Sequence, residues 1–170
     1  MSTERVIIGN AIILIASIIM VASGYLKSKE RTLYWQTIQI GLSAVSCFVL
    51  GAISGGIVNL LAIPRNILGY KDKLTSSAKV VLLMVTSTLS IYFNVNGVIG
   101  YLPLVVSVSY ILLMDKLKDD KFKMLIIATM VLWAIHDFYM KSYVSVVFNI
   151  GNIVTSSIAI YRIKNDEKSV

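Results

Sequence analysis

Uncharged polar side chains inside apolar stretches are the residues of this sequence whose types and spacing could bind a ligand. Asn59 and Asn149 each place an amide in an apolar run, and Asn152 follows Asn149 by three residues. On a helix this spacing puts Asn149 and Asn152 on one face. In an apolar environment an amide must find a hydrogen-bond partner. That partner is either a neighbouring helix, which would make the amide structural, or a solute in a cavity.

Trp133 extends this candidate binding site because it lies 16 residues before Asn149, across a predicted helical hairpin. Equal distances from the turn bring two residues to a similar depth, so the indole ring would stack on a solute that the amide hydrogen-bonds. Ser43 lies 16 residues before Asn59 and holds the corresponding position in an earlier hairpin. Packing against lipid is the alternative interpretation of Trp133.

Two prolines and one arginine are candidates for a hinge or a gate. Pro64 is expected to bend or end its helix, and Pro103 is expected to remove one helix hydrogen bond and create a hinge. Arg65 follows Pro64 near the end of an apolar run. Its simplest interpretation is an interfacial residue whose guanidinium extends to the membrane surface. An inner gate and a contact to an anion are the alternatives.

Other kinds of chemistry have little support in the sequence. The lone cysteine, Cys47, excludes an intramolecular disulfide and offers no metal cluster. His136 and Asp137 lie near the end of an apolar run and are interpreted as a local polar pair. Nucleophile motifs, phosphate loops and metal-ligand spacings do not occur, so we expect no enzyme, no cofactor and no metal. Because ionisable residues are nearly absent from the apolar runs, a neutral or weakly polar solute is favoured.

The composition indicates that lipid surrounds the elements carrying these residues. The 170 residues are 56% hydrophobic and only 15% charged, with a mean hydropathy of +0.78, whereas about a quarter of the residues in soluble domains are charged. The net charge is +7, and the basic residues lie between apolar runs. Because no nucleic-acid motif accompanies them, no nucleic-acid partner is expected. The first apolar run, 6–25, is long enough to cross a bilayer and is interpreted as a retained helix.

The sequence predicts seven transmembrane helices. The second and third apolar runs are nearly continuous over 34–70, which is too long for one crossing and right for two. The glycines of 51–56 indicate a turn between them, and 94–97 and 136–142 are further predicted breaks. The predicted spans are 6–25, 34–53, 55–70, 78–94, 98–114, 123–139 and 143–161.

Basic residues alternate between the connections in a way that supports this number of spans. The connections after the odd-numbered spans carry 14 of the 16 lysines and arginines, and only Arg5 and Lys141 lie on the other side. Loops rich in lysine and arginine lie on the cytoplasmic side of the membrane, which predicts an outer N-terminus and a cytoplasmic C-terminus. The fourteen are Lys27, Lys29, Arg31, Arg65, Lys71, Lys73, Lys79, Lys116, Lys118, Lys121, Lys123, Arg162, Lys164 and Lys168.

An internal repeat is indicated by matches at nearly constant offset. At an offset of 91, residues 8–9 fall on 99–100 and 26–27 on 117–118, and at an offset of 90 Asn59 falls on Asn149. Parallel repeats of this kind often place a transport site at their interface. The predicted fold is therefore one all-α transmembrane domain, 1–170, in a 3 + 1 + 3 arrangement. Its parts are a first three-helix repeat at 6–70, a linker helix at 78–94 and a second repeat at 98–161.

Two stretches of the sequence resemble the YgjV family of bacterial inner membrane proteins. One runs through 50–55 to Asn59 and 65–66, and the other joins Trp133 to 142–143 and 158–162. The resemblance implies location in the bacterial cytoplasmic membrane.

More distantly, the 3 + 1 + 3 plan is similar to the SWEET sugar carriers and the PnuC vitamin transporters. In SWEET-like proteins a tryptophan on the second helix and an asparagine on the third helix of a triplet line the solute site. Trp133 and Asn149 match that pair, and Asn59 matches its asparagine. The expected function is transport of a small solute by alternating access. A non-transporting membrane protein that binds or regulates a partner is the alternative, and a homo-oligomer is left open.

Overall fold

The computed structural model describes residues 3–49, 53–94, 97–139 and 143–168, and these residues form seven α-helices with one short 3₁₀ turn. The all-helical fold predicted from the sequence is thus confirmed. The helices are α1 (Thr3–Gly24), α2 (Lys29–Val49), α3 (Ile53–Tyr70), α4 (Ser76–Tyr92), α5 (Leu102–Leu113), α6 (Asp119–Tyr139) and α7 (Tyr143–Lys168), and the 3₁₀ turn Ile99–Tyr101 precedes α5.

Several helices extend beyond the apolar runs that predicted them. Helix α6 begins at Asp119, four residues before the predicted span, because the acidic side chains of its first turn favour a helix N-terminus. Thr75 caps α4, its side chain accepting a hydrogen bond from the backbone N–H of Ala78. Polar residues carry α7 through to Lys168. An apolar run marks the part of a helix in contact with lipid. Charged residues and caps determine where the helix begins and ends.

The predicted turn at 51–56 is partly wrong, because α3 already begins at Ile53. Residues 50–52, which include Gly51 of the predicted turn, lie outside the described residues. The predicted break at 136–142 also starts too early, since α6 continues to Tyr139, and residues 140–142 are likewise outside the described residues. At the predicted break 94–97, Gly97 has a φ of 58°, a left-handed conformation that glycine adopts without strain.

The seven helices pack in chain order into a closed ring. Each helix contacts the next one along the chain, and α7 packs back against α1. Helices α2 and α6 also touch across the ring. This arrangement leaves the centre of the ring as the place where side chains from non-adjacent helices can meet.

The outer surface of the ring is apolar and its interior is partly polar. Large hydrophobic side chains are exposed along the described helices, among them Ile7 on α1, Met84 on α4 and Val147 on α7. Serines, threonines and amides are buried inside together with leucines and isoleucines. Within the described residues, three helices are long and apolar enough to cross a membrane, spanning Thr3–Gly24, Asp119–Tyr139 and Val144–Asp166, and two shorter apolar helices are present. Exposed apolar surface of this extent is typical of a protein surrounded by lipid.

The basic connections lie together at one end of the ring. Lys27 after α1 pairs with Asp166 near the end of α7. Lys79 at the start of α4 pairs with Asp115 after α5, with 2.6 Å between Nζ and Oδ2. Burial raises the pKa of the Asp115 carboxyl, but the hydrogen bond and charge of Lys79 outweigh it, and the pKa is lowered overall. Together with the hydrogen bond from the Lys29 N–H to Asp119 Oδ1 at 2.5 Å, these pairs place the connections after the odd-numbered helices on the same side, hereafter the basic end.

Lys123 corrects one part of the charge assignment. The sequence placed it in the basic connection after the fifth span, but it lies in the second turn of α6 and is fully buried. Its Nζ donates to the carbonyl oxygens of Ser23 and Gly24, each at 3.0 Å, and to Oγ1 of Thr32 at 2.9 Å. The carbonyls at a helix C-terminus lack helical partners and carry partial negative charge, so a buried lysine is a suitable cap for α1.

Candidate functional site

A cavity of about 230 Å³ lies at the centre of the ring. Helices α1, α2, α3, α5, α6 and α7 all contribute side chains to it, whereas none of the described residues of α4 lines it. A water molecule occupies roughly 30 Å³ in the liquid, so the cavity has room for several waters or a small solute. Its polar lining comprises Ser17, Gln36, Gln39, Ser43, Asn59, Arg65, Ser107, Tyr110, Asp137, Ser145, Asn149 and Asn152.

All five predicted solute-binding residues line this one cavity. They come from four helices, and residues more than a hundred positions apart in the chain are brought together. Binding itself stays a prediction. The five are Ser43 on α2, Asn59 on α3, Trp133 on α6, and Asn149 and Asn152 on α7.

Asn149 and Asp137 connect α7 to α6 at the end of the cavity opposite the basic end. The Asn149 amide Nδ2 donates to Asp137 Oδ2 at 2.8 Å, and Asp137 Oδ1 lies 3.0 Å from His136 Nδ1. The predicted local pair of His136 and Asp137 is therefore present. The Trp133 ring lies 5.4 Å from the His136 ring in an edge-to-face arrangement. Both carboxylate oxygens thus have partners, and Asp137 holds the Asn149 side chain in place.

Asn152 presents a hydrogen-bond donor without a protein partner. The residue is fully buried, and its Oδ1 accepts from Ser156 Oγ at 3.3 Å. Its Nδ2 has no hydrogen-bond partner in the described part of the chain. A buried unpaired N–H group costs about 1–3 kcal/mol, so such a group beside a cavity calls for water or a solute.

The two residues predicted from the first hairpin have weaker partners. Asn59 Nδ2 lies 3.8 Å from Cys47 Sγ, and Ser43 Oγ accepts from Gln39 Nε2 at 3.0 Å. A thiol is a weak acceptor. The Asn59 amide therefore keeps most of its hydrogen-bonding capacity for other groups.

Arg65 is not an interfacial residue, and the simplest interpretation of the sequence was wrong here. The residue is only 6% exposed and lines the cavity, near the basic end of α3. Its Nε and Nη2 donate to Asn66 Oδ1 at 3.1 and 2.9 Å, and its guanidinium carbon lies 4.6 Å from the centre of the Tyr110 ring. The guanidinium does not extend to the membrane surface, because Asn66 and Tyr110 hold the side chain inside the ring.

Pro64 lies inside its helix, as the sequence suggested, whereas Pro103 lies at the start of its helix rather than within it. Pro64 lies inside α3, which continues past it to Tyr70, so this proline does not end the helix. Pro103 is in the first turn of α5, directly after the 3₁₀ turn. A residue there has no helical acceptor for its N–H, so proline removes no helix hydrogen bond. The hinge roles of Pro64 and Pro103, and the gate role of Arg65, stay predictions.

Sequence reasoning missed part of the lining. Tyr110 and Ser107 lie on α5 three residues apart and are both buried, but in the sequence they stand in an apolar run without a marked signal. Gln36 and Gln39 are also three residues apart, on α2. Two amides at this spacing lie on one face of a helix, and this signal could have identified them as cavity residues.

The fold and cavity define a helical membrane protein with a central cavity to which six of its described helices contribute polar and apolar side chains. The sequence profile of the bacterial inner membrane protein family Imp-YgjV matches residues 7–167. The chain therefore belongs to that family, and its location in the bacterial inner membrane is shown. Neither the search of curated proteins nor the search of solved structures found a match.

Proposed function

We propose that this protein is a carrier that moves a small polar solute across the bacterial inner membrane. The observation that supports the proposal is the central cavity, to which helices from both halves of the chain contribute polar side chains among apolar ones. Polar side chains that face a cavity inside a protein surrounded by lipid are costly unless they meet water or a solute. The alternative function, binding or regulating a partner without transport, does not require such a cavity.

The packing also supports the proposed repeat and hence an alternating-access mechanism. Thr32 and Lys123 are 91 residues apart, which is the offset of the proposed repeat, and they are joined by a hydrogen bond. Equivalent residues of two repeats meet only near the axis that relates the repeats. Helices α2 and α6, the middle helices of the two proposed triplets, make contact across the ring. Rocking of the two triplets about this contact would open the cavity to each side in turn.

The polarity of the solute is revised by the structure. A neutral or weakly polar solute was favoured because ionisable groups seemed absent from the spans. Arg65 and Asp137 both line the cavity, so that reason no longer applies. The proposed solute is polar, with hydrogen-bonding groups that match the amides of Asn59, Asn149 and Asn152.

Uptake into proteoliposomes tests the proposal, with panels of sugars, organic acids, amino acids and nucleosides. For any solute that the wild type accumulates, Asn149→Ala and Trp133→Ala are expected to lower the uptake rate at least tenfold, because each removes one contact from the site. Trp35→Ala and Asn165→Ala are matched controls, since both residues are exposed outside the cavity, and they are expected to transport normally.

Two results would contradict the carrier. One is that no solute of the panels enters vesicles containing well-folded wild-type protein. The other is that uptake is unchanged in both cavity variants although light scattering and circular dichroism show intact protein. Either result would leave the partner-binding alternative as the better explanation of the fold.

A further inference from the structure

We propose that the solute is a small organic monoanion whose carboxylate binds to Arg65. This inference deepens the proposed function and rests on it.

Arg65 is a buried cation without a counter-charge. Its contacts are the neutral amide oxygen of Asn66 and the face of the Tyr110 ring. Among the described residues, no carboxylate lies within ion-pair distance of it. An arginine stays charged in proteins, and a charge removed from water without a partner is strongly unfavourable. An anion entering the cavity would supply the missing partner.

The geometry of the guanidinium leaves one edge for that anion. The edge formed by Nε and Nη2 is bound to Asn66 Oδ1. Nη1 makes no hydrogen bond to the described residues, so the edge formed by Nη1 and Nη2 remains for a ligand. Guanidinium and carboxylate groups pair through two parallel hydrogen bonds along such an edge. Asn66 and Tyr110 fix the orientation of the Arg65 guanidinium before the ligand binds.

The remaining charges of the cavity favour one negative charge over two. Asp137, at the other end, is already bound to His136 and Asn149 and would repel a second anionic group. Arg65 lies five residues before the end of α3 and Asp137 two residues before the end of α6, and these helices run in opposite directions. The space between them is lined by Trp133 and by the amides of Asn59 and Asn152, which suit an uncharged remainder.

Binding of matched acid and amide pairs to the purified protein tests this inference without requiring transport. The probes are lactate with lactamide and benzoate with benzamide, since each pair differs mainly in charge. Affinity is measured by thermal stabilisation and calorimetry in detergent. At least one acid is expected to bind the wild type ten times more tightly than its amide or better, as a charge-assisted pair requires. Arg65→Gln is expected to remove this preference, and Arg65→Lys is expected to retain part of it.

The outcomes separate this inference from the proposed function. If amides bind as tightly as acids, if Arg65→Gln keeps the preference, or if no probe binds the wild type, the anion assignment is wrong. If Arg65→Gln fails to fold, Arg65→Lys decides, because a retained cation must keep a preference for the acids. If acids bind through Arg65 but no solute crosses vesicles, the carrier is wrong and the anion site stands. If neutral solutes are transported without any effect of Arg65 variants, the carrier stands and the anion site fails.

Discussion

Among the described residues, the charged side chains of Asp137, Lys123 and Arg65 reach the interior of the ring, and each meets the cost of burial differently. Asp137 is hydrogen-bonded at both oxygens by neighbouring polar groups. Lys123 donates to two carbonyls and one hydroxyl at the end of α1. Arg65 has an amide and an aromatic ring but no anion. The hydrogen-bonding groups of Asp137 and Lys123 are satisfied by the protein itself, which suits a structural role. Arg65 has no such complete set of partners and is therefore the better candidate for a ligand contact.

Replacing Lys123 by methionine tests its structural role. The substitution keeps an unbranched side chain but removes the ammonium group, so the Gly24 carbonyl and the Thr32 hydroxyl lose the Lys123 donor, while the Ser23 carbonyl keeps the Leu26 N–H. Unsatisfied buried acceptors cost about 1–3 kcal/mol, so the unfolding midpoint in detergent should fall. Lys121→Met is the matched control, because Lys121 is exposed on the same helix. A Lys123→Met variant as stable as Lys121→Met would show that this lysine does not hold α1 to α6.

At the scale of elements, the contact between α1 and α7 closes the ring. Thr155 Oγ1 donates to the carbonyl oxygen of Val21 at 2.9 Å, and a Cβ added at Gly151 would lie 3.2 Å from Val21 Cγ2. At Gly24 the helices are closer still, since a Cβ there would lie 2.2 Å from Thr155 Oγ1 and 2.3 Å from Asn152 Oδ1. Small residues allow this approach of backbones, as they often do between transmembrane helices.

Gly24→Ala should therefore open this contact. The added methyl group forces Thr155 and Asn152 to move, and overpacking of this kind costs about 1–3 kcal/mol. Because Asn152 lines the cavity, solute affinity should fall together with thermal stability. Gly41→Ala is the control, as nothing lies within 4 Å of a Cβ at that position of α2. That control should be neutral or slightly stabilising, since alanine favours helices. Equal stability of the two variants would mean that α1 and α7 do not need this close approach.

At the scale of the whole molecule, apolar side chains cover the outside of the ring, and polar groups are buried inside it together with apolar ones. A soluble bundle reverses this preference at its surface, because water rather than lipid surrounds it. The family relation places the protein in the bacterial inner membrane. Which end faces the cytoplasm follows from the positive charge of the basic end, and this orientation is a proposal.

Cysteine labelling tests the orientation. In a Cys47→Ser background, Val98→Cys and Lys118→Cys lie on opposite ends of the ring and are both exposed. A membrane-impermeable maleimide applied to spheroplasts should modify Val98→Cys at once and Lys118→Cys only after lysis. Labelling of Lys118→Cys alone in intact spheroplasts would reverse the orientation, and equal labelling of both would contradict a membrane crossing by α5, the helix between the two positions.

The sequence predicted the number of helices and the three asparagines of the cavity, because both depend on local pattern. A polar residue in an apolar run stands out without any tertiary information, and Asn59, Asn149 and Asn152 were found in this way. Trp133 was found from its distance to a turn. Helix ends were less accurate, since apolar runs stop where lipid contact stops, while α7 continues as a polar helix.

The sequence by itself determined that this chain is helical, that it is built for a membrane and that few of its polar residues could meet a solute. Only the tertiary structure decided which charges are buried. Arg65 and Lys123 look alike in the sequence, as basic residues at the ends of apolar runs. Arg65 lines the cavity, whereas Lys123 binds the carbonyls at the end of α1. The sequence does not distinguish them, because the groups that surround each charge come from helices distant in the chain.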